Sequence, residues 1–264
     1  MLIVLRSSTL ICTVYTLLQH KFHFTRNSRA SIIMLRIAFH LFLVTQYIFA
    51  QWYDLTYLDV LNDKGRSFVP LKGRLKFLTI WNMLLQGLFF TICLLNDLIG
   101  TNDVAPKKTP IIRKIKDFLL PCLALPVALF VAITFWGLYF IDRELVFPRA
   151  LDAFFPTWLN HVMHTNIVLF AAIELATSFR RYPSRKLGIT VVATWCLTYL
   201  LWVHVINYHT GLWVYPILEV LPWFGRIIFY VGSLVLQISL YLAGEKLNNV
   251  IWRKQLAQKQ RKSK

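Results

Sequence analysis

Hydrophobic residues in this chain are concentrated in six long runs, separated by short polar or basic segments. The runs lie at roughly 31–50, 76–99, 118–141, 157–177, 187–207 and 224–244. Each run is about 20 residues long, the length that an α-helix needs to cross the hydrocarbon core of a bilayer. The pattern therefore predicts an all-α fold, a polytopic membrane protein built as a six-transmembrane-helix bundle.

The segments outside these runs suggest three parts of the chain. We expect a six-helix membrane domain over 31–252 and a basic cytosolic tail over 253–264. Residues 1–30 form an N-terminal extension of uncertain topology, whose apolar stretch over 2–18 is broken by Arg6. An upstream extension is the favoured interpretation of this stretch, and an uncleaved signal-anchor or a seventh helix are the alternatives.

The positions of the basic residues predict the orientation in the membrane. The chain is 57% hydrophobic and carries a formal net charge of +17. Its Lys and Arg residues lie mainly before the first run, between runs two and three, between runs four and five, and after the sixth. Six crossings put these segments on one side, whereas the 208–223 connection has no Lys or Arg. The positive-inside rule then places both termini in the cytosol, although the basic 51–75 loop does not fit.

Charge and composition also limit the partners. A net charge of this size could indicate nucleic acid, but no basic face with interleaved aromatic residues exists outside the runs, so we expect no nucleic acid. The bilayer is the predicted partner, and the sequence identifies no protein partner. The Arg261–Lys264 tail resembles a dibasic retrieval signal, although a basic tail that lies on the membrane surface is the simpler interpretation. We expect the endoplasmic reticulum or another endomembrane, with the plasma membrane as the alternative.

Two histidines near the start of the fourth run, His161 and His164, are spaced to share one face of a helix. Ionisable side chains at membrane depth are candidates for function. Thr79 lies one turn into the second run, whose start is on the same side of the membrane. At 1.5 Å per residue, Thr79 and His164 both lie on the order of 5–10 Å below the outer interface. A hydroxyl and an imidazole at similar depth are the minimum for a nucleophile activated by a general base.

Other polar groups are predicted at the same end of the bundle. Asp142 ends the third run, His204 lies near the end of the fifth, and Asn160 and His161 lie above His164. Asn160, His161, Asp142 and His204 are therefore candidates to orient His164 or to polarise a carbonyl group. A pocket with a polar mouth and apolar walls suits a long-chain lipid whose polar bond lies near the interface.

Simpler interpretations exist for each of these residues. A membrane threonine commonly bonds to the carbonyl four residues earlier, and a histidine can bond to a neighbouring helix. Asp142 and Arg143 can form an interfacial ion pair. The histidines could also hold a metal, but a cysteine-rich or carboxylate-rich complement is missing. A bis-histidine haem protein needs facing histidines at matched depths, and we expect none in the deep half of the bundle. A metal site and a haem site are therefore both disfavoured.

Several strings of residues resemble the androgen-induced gene and androgen-dependent TFPI-regulating protein family. The most specific is Trp158–Thr165, which reads WLNHVMHT. The other strings are Lys76–Thr79, Trp213–Pro216, Asp142–Glu144, Phe147–Pro148, Tyr182–Ser184 and Tyr241–Asn248. The resemblance covers about residues 34–252, in the right order and spacing.

The resemblance implies a multi-pass membrane hydrolase that cleaves fatty acid esters of hydroxy fatty acids (FAHFAs), with no cofactor. Carried over to this chain, the threonine nucleophile falls on Thr79 and the histidine base on His164. This chain departs from the family pattern at Leu75, where tryptophan is usual, at Phe147, where tyrosine is common, and in residues 1–30. The alternative from another class is a non-enzymatic membrane protein that binds lipid or scaffolds a signalling partner.

Overall fold

The computed structural model describes residues 26–58, 69–71, 73–104, 106, 108–255 and 257. Within these ranges the ordered elements are helices and turns, with no strand. Residues 1–25, most of the expected N-terminal extension, lie outside the described residues. Residues 256 and 258–264 of the expected basic tail lie outside them as well.

The described chain forms nine α-helices. They are α1 (Arg26–Tyr57), α2 (Leu78–Ile99), α3 (Ile111–Leu119), α4 (Leu125–Asp142), α5 (Thr157–His161), α6 (Ile167–Thr177), α7 (Arg185–Thr210), α8 (Pro216–Val220) and α9 (Trp223–Ile251). Short 3-10 turns cover Arg74–Lys76, Arg143–Leu145 and Arg149–Ala153. Two π turns, Leu120–Ala124 and Val162–Asn166, join α3 to α4 and α5 to α6.

The predicted all-α membrane bundle is confirmed. In the part of the chain that the structure describes, five helical stretches are long and apolar enough to cross a membrane: Ala30–Tyr57, Leu78–Ile99, Ile111–Leu145, Arg185–Thr210 and Trp223–Ile251. The fourth predicted run is helical over 157–177 as well, but its π turn divides it into two shorter α-helices. Several helices extend beyond the predicted runs, since α1 continues to Tyr57 and α9 to Ile251.

Proline accounts for the break in the third run. Pro121 lies in the π turn that joins α3 to α4, and Pro126 lies in the first turn of α4. A proline has no N–H to donate and its ring crowds the preceding turn, so a continuous α-helix is locally disturbed. Through this π turn, helical structure continues over Ile111–Leu145.

We call the two ends of the bundle the upper end, where α1 ends and α2 begins, and the lower end, where α2 ends and α3 begins. The apolar core between them includes residues of α2, α4, α5 and α6, among them Phe89, Phe90, Ala128, Leu159 and Ile167. Because α3 with α4, and α5 with α6, each form one continuous helical rod and successive rods run in opposite directions, the start of α5 and the start of α9 also lie at the upper end.

A buried network of charges joins the helices at the lower end. His40 Nδ1 lies 2.6 Å from Asp97 Oδ2, and its Nε2 lies 3.0 Å from Glu174 Oε2. Glu174 also pairs with Arg180, and the Lys116 ammonium lies 3.4 Å from its Oε1. His40 is a buried histidine in this deep half, but both of its ring nitrogens face carboxylates rather than a second histidine.

This network is better suited to ion pairing than to metal binding. His40, Cys93 and Glu174 offer ligand atoms that lie within 4.8 Å of one another. However, Lys116 and Arg180 already face the Glu174 carboxylate, and both nitrogens of His40 face carboxylates. A divalent cation would be placed beside two positive side chains, so the cluster is an ion-pair network that links α1, α2, α3 and α6.

Candidate active site

A mostly apolar cavity of about 210 Å³ lies in the upper half of the bundle. Its walls come from α2, α4, α7 and α9, from the π turn between α5 and α6, and from the segments around α8 and over 146–155. The ion-paired Asp54 of α1 and Arg74 also line it. The hydroxyl, imidazole and amide side chains that line it are those of Thr79, Thr134, His164, Tyr199, Tyr215, Tyr230, Ser233 and Gln237. An apolar cavity with a few polar groups is the usual form of a site for a small molecule or lipid.

Thr79 is the second residue of α2, which begins at Leu78 after the extended residue Phe77. Its Oγ1 lies 3.1 Å from Nε2 of His164. The Leu75 carbonyl, four residues earlier, instead accepts hydrogen bonds of 2.8 Å from the indole N–H groups of Trp81 and Trp202. The Thr79 hydroxyl therefore has an imidazole as its partner rather than its own helix.

His164 lies in the π turn Val162–Asn166 and is buried. Its Nδ1 lies 3.0 Å from the Asn160 backbone oxygen and 2.7 Å from Asn160 Oδ1. Both partners are acceptors, so Nδ1 carries the proton and donates it. Nε2 then presents its lone pair to Thr79 and accepts the hydroxyl hydrogen. The geometry thus sets the tautomer that a general base requires.

The imidazole is also held from one face. The Phe135 ring stacks on it, with centroids 3.5 Å apart and planes 12° apart. Phe135 belongs to α4, whereas Thr79 and Asn160 come from α2 and α5, so three helices locate the His164 ring. A π turn within an α-helical rod is often found at functional sites, because it re-aims a side chain.

Two tyrosines hold the segment that precedes Thr79. The Leu78 N–H donates to the Tyr199 hydroxyl at 2.9 Å and to the Tyr215 hydroxyl at 3.0 Å. Tyr199 in turn donates to the Lys76 carbonyl at 2.9 Å. Burial raises the pKa of the Tyr215 phenol, which keeps its hydroxyl protonated. Tyr199 did not appear as a site residue in the sequence analysis, because a tyrosine in an apolar run has no distinguishing local signal.

Of the four predicted supporting residues, Asn160 alone contacts His164 in the described structure. His161 faces outward, with its Nδ1 3.1 Å from Thr165 Oγ1. Asp142 accepts from the Glu144 N–H at 3.0 Å and so caps a 3-10 turn. His204 Nδ1 bonds to the Leu200 carbonyl at 2.9 Å. The fold therefore does not bring His161, Asp142 or His204 into the contact between Thr79 and His164.

The suggested pairing of Asp142 with Arg143 is wrong. Arg143 pairs with Asp152, with Nη2 2.6 Å from Oδ1. This hydrogen bond lowers the pKa of the Asp152 carboxyl. Arg74, one of the basic residues that did not fit the charge rule, is buried and lies 3.1 Å from Asp54 Oδ2. A buried, paired arginine is not a solvated loop charge, so part of the exception to the charge rule has a structural origin.

Comparison with known proteins identifies relatives along most of the chain. The family described as FAR-17a/AIG1-like protein matches residues 35–249. The "Androgen-induced gene 1 protein" of Homo sapiens is 41% identical over 198 residues, which cover 73% of this chain and 83% of the relative. The "Androgen-dependent TFPI-regulating protein" of Mus musculus is 37% identical over 217 residues, which cover 81% of this chain and 92% of the relative. A "UPF0641 membrane protein" of Schizosaccharomyces pombe is 27% identical over 166 residues, which cover 60% of this chain and 70% of the relative. No solved structure matches the chain.

Proposed function

The chain belongs to the FAR-17a/AIG1-like family, and we propose that it is a membrane hydrolase that cleaves fatty acid esters of hydroxy fatty acids. The observation that supports this proposal most directly is the relay from Asn160 through His164 to Thr79, which faces an apolar cavity. A hydroxyl whose hydrogen points at an oriented imidazole is the arrangement of an activated nucleophile.

In the first half of the proposed reaction, Thr79 Oγ1 attacks the ester carbonyl while His164 Nε2 takes the hydroxyl proton. The carbonyl oxygen becomes an oxyanion in a tetrahedral intermediate. When this intermediate collapses, the bond to the alcohol oxygen breaks and His164 returns the proton to that oxygen. The hydroxy fatty acid leaves and an acyl-threonine ester remains.

In the second half, a water molecule takes the place of the leaving alcohol. His164 Nε2 removes a proton from the water as its oxygen attacks the acyl-threonine carbonyl. Collapse breaks the bond to Thr79 Oγ1, which regains its proton from His164, and the fatty acid leaves. The Asn160 acceptors stabilise the imidazolium at both stages through the hydrogen bond to Nδ1.

The start of α2 is suited to stabilise the oxyanion. The first turn of a helix carries partial positive charge from its N–H groups, and Thr79 lies within that turn. The Tyr215 hydroxyl lines the cavity beside the Leu78 N–H. The Tyr199 and Tyr215 hydroxyls lie 3.0 Å apart, and the Tyr199 hydroxyl also lies 2.9 Å from the Lys76 carbonyl, its acceptor. We propose that the Tyr215 hydroxyl turns its hydrogen away from Tyr199 to the oxyanion.

A serine-hydrolase-type fluorophosphonate probe, used together with FAHFA hydrolysis by membranes at matched expression, tests the proposal. We expect Thr79→Val, which keeps the shape and removes the hydroxyl, to abolish labelling and to lower hydrolysis at least 100-fold. We expect His164→Ala to lower hydrolysis by as much as Thr79→Val does. Thr91→Val is the matched control. Thr91 is on the same helix as Thr79, but its hydroxyl donates to the Gly87 carbonyl of that helix at 2.8 Å and does not contact His164.

Two outcomes of this experiment would contradict the proposal. Equal hydrolysis by wild type, Thr79→Val and His164→Ala would exclude both residues from catalysis. A wild-type protein that binds the lipid but neither reacts with the probe nor releases fatty acid would instead support a non-enzymatic lipid-binding protein.

We further propose that the protein lies in an endomembrane, most simply the endoplasmic reticulum, with both termini on the cytosolic side. The basic segments at the lower end support this orientation, as does the lack of Lys and Arg in the 208–223 connection. An N-glycosylation acceptor inserted after Gly211 should be glycosylated, whereas one appended after Lys264 should not. The reverse result would invert the orientation.

A further inference from the structure

The lower end of the cavity, which we call the cavity floor, is lined by polar residues of α7 and α9. Each of three helices contributes its deepest cavity-lining residue there: Phe130 of α4, Trp195 of α7 and Gln237 of α9. α4 and α7 run upward and α9 runs downward, so these three residues are the lowest cavity-lining residues of their helices. Trp195 and Gln237 therefore line the same end of the cavity.

Both polar residues of the floor have a buried atom that lacks a hydrogen-bond partner among the described residues. These atoms are Nε1 of Trp195 and Oε1 of Gln237. The Gln237 side chain is only 2% exposed. One atom is a hydrogen-bond donor and the other is an acceptor.

Leaving such groups unpaired at membrane depth is costly, because neither lipid nor the apolar walls can replace water as a partner. Leucine in place of Gln237 and phenylalanine in place of Trp195 would fill the same space without this cost. The pair is thus a candidate for ligand recognition rather than for packing.

The chemistry of the floor limits what can bind there. None of the described residues lining the floor is charged, so a carboxylate would lose its hydration without a cation to compensate. A carbonyl or ether oxygen could accept from the Trp195 N–H but could not donate to Gln237 Oε1. A hydroxyl can do both at once. An alcohol group therefore satisfies both unpaired atoms.

The height of the floor sets the position of that alcohol along a substrate. His164 stacks on Phe135, and Phe130 lies five residues deeper on the same helix. At 1.5 Å per residue, this places the floor about 7–8 Å below the imidazole. Several methylene groups span this distance.

We propose that the cavity floor is a subsite for a hydroxyl group carried on a hydrocarbon chain of the substrate, several carbons from the cleaved ester. The proposal rests on the proposed ester hydrolysis at Thr79. It extends the substrate class to esters with a second, free hydroxyl, held between Trp195 Nε1 and Gln237 Oε1.

The test compares long-chain esters with and without a mid-chain hydroxyl, in two series that place the hydroxyl on the acyl chain or on the alcohol chain. We expect the wild type to favour the hydroxylated ester of one series by about five- to tenfold in kcat/KM. This ratio should fall to about one in Gln237→Leu and in Trp195→Phe. Gln46→Leu is the matched control, because Gln46 is a glutamine of α1 that does not line the cavity, and it should keep the ratio.

A binding measurement separates failure of this proposal from failure of the proposed hydrolysis. Non-hydrolysable amides of the same acids, with and without the hydroxyl, serve as the ligands. The hydroxylated amide should raise the thermal stability of the wild type more than the plain amide does. In Gln237→Leu the two amides should raise it by the same amount. Absence of a preference in both series and in the amide binding would overturn the subsite. It would indicate that a buried water satisfies the floor. Selective amide binding without any ester turnover would retain the subsite and reject the hydrolase.

Discussion

At the scale of single residues, the function proposed for this protein depends on which nitrogen of His164 holds the proton. The Asn160 backbone oxygen and side-chain oxygen both face Nδ1, so the proton belongs there. Nε2 is then free to act on Thr79. In the proposed reaction, Asn160 has the orienting role that the third member of a catalytic triad plays in known hydrolases, without carrying a charge.

Replacing Asn160 by alanine tests this role. The variant loses the Oδ1 acceptor at 2.7 Å but keeps the backbone acceptor at 3.0 Å, so orientation is weakened and not abolished. We expect kcat for ester hydrolysis to fall about 10- to 100-fold with a much smaller change in KM. Steady-state kinetics measures both.

Asn166→Ala is the control for that substitution, since Asn166 ends the same π turn and no hydrogen bond joins its side chain to His164. It should retain most of the wild-type kcat. An Asn160→Ala enzyme with unchanged kcat would show that the backbone carbonyl alone orients the imidazole.

At the scale of helices, close packing of α7 against α9 depends on glycine. A Cβ atom built on Gly188 would lie 2.2 Å from the Tyr241 hydroxyl group, well inside van der Waals contact. Small residues at such crossings let helix backbones approach in a membrane, where lipid offers no hydrophobic drive for association. The position of α9, which carries Gln237 and Ser233 into the cavity, is therefore linked to this glycine.

We expect Gly188→Ala to lower the free energy of unfolding by about 1–3 kcal/mol, because Tyr241 must move to admit a methyl group. Thermal unfolding in detergent measures the loss. Gly232→Ala on α9, where an added Cβ meets nothing within 4 Å, should stay within about 0.5 kcal/mol of the wild type. Equal stability of the two variants would show that Tyr241 moves aside without cost.

At the scale of the whole molecule, the two ends of the bundle have different tasks. The upper end holds the cavity and the contact between Thr79 and His164. The lower end holds buried, mutually paired charges around Glu174, which join helices distant in sequence. A buried charge that loses its partner is strongly destabilising, so these groups act as a unit.

Substitution of Glu174 by glutamine would leave Lys116 and Arg180 facing a neutral amide. We expect it to lower the free energy of unfolding by about 3–5 kcal/mol. Glu245→Gln breaks a pair with Arg185, whose side chain is 71% exposed, and should cost less than about 1 kcal/mol. Unfolding at a single pH measures both, and similar losses would show that burial does not strengthen the Glu174 pairs.

The sequence by itself determined the elements that depend on local pattern. Apolar runs of membrane length predicted the helices, and the alternation of their directions placed Thr79 and His164 at one end and at similar depth. Depth follows from counting residues along a helix, so it needs no knowledge of neighbours. The exact ends of α1 and α9 did not follow, because both helices continue into more polar residues, where the apolar pattern that predicted them has ended.

Only the tertiary structure decided which side chains meet. Rotation of each helix about its axis turned His161 and His204 away from Thr79, and it turned Tyr199 and Gln237 toward the cavity. It also paired His40 with Asp97 and Glu174, which lie 57 and 134 positions away in sequence. Helix rotation and pairing are set by packing between segments remote in sequence, and a pattern read along one segment does not contain that information.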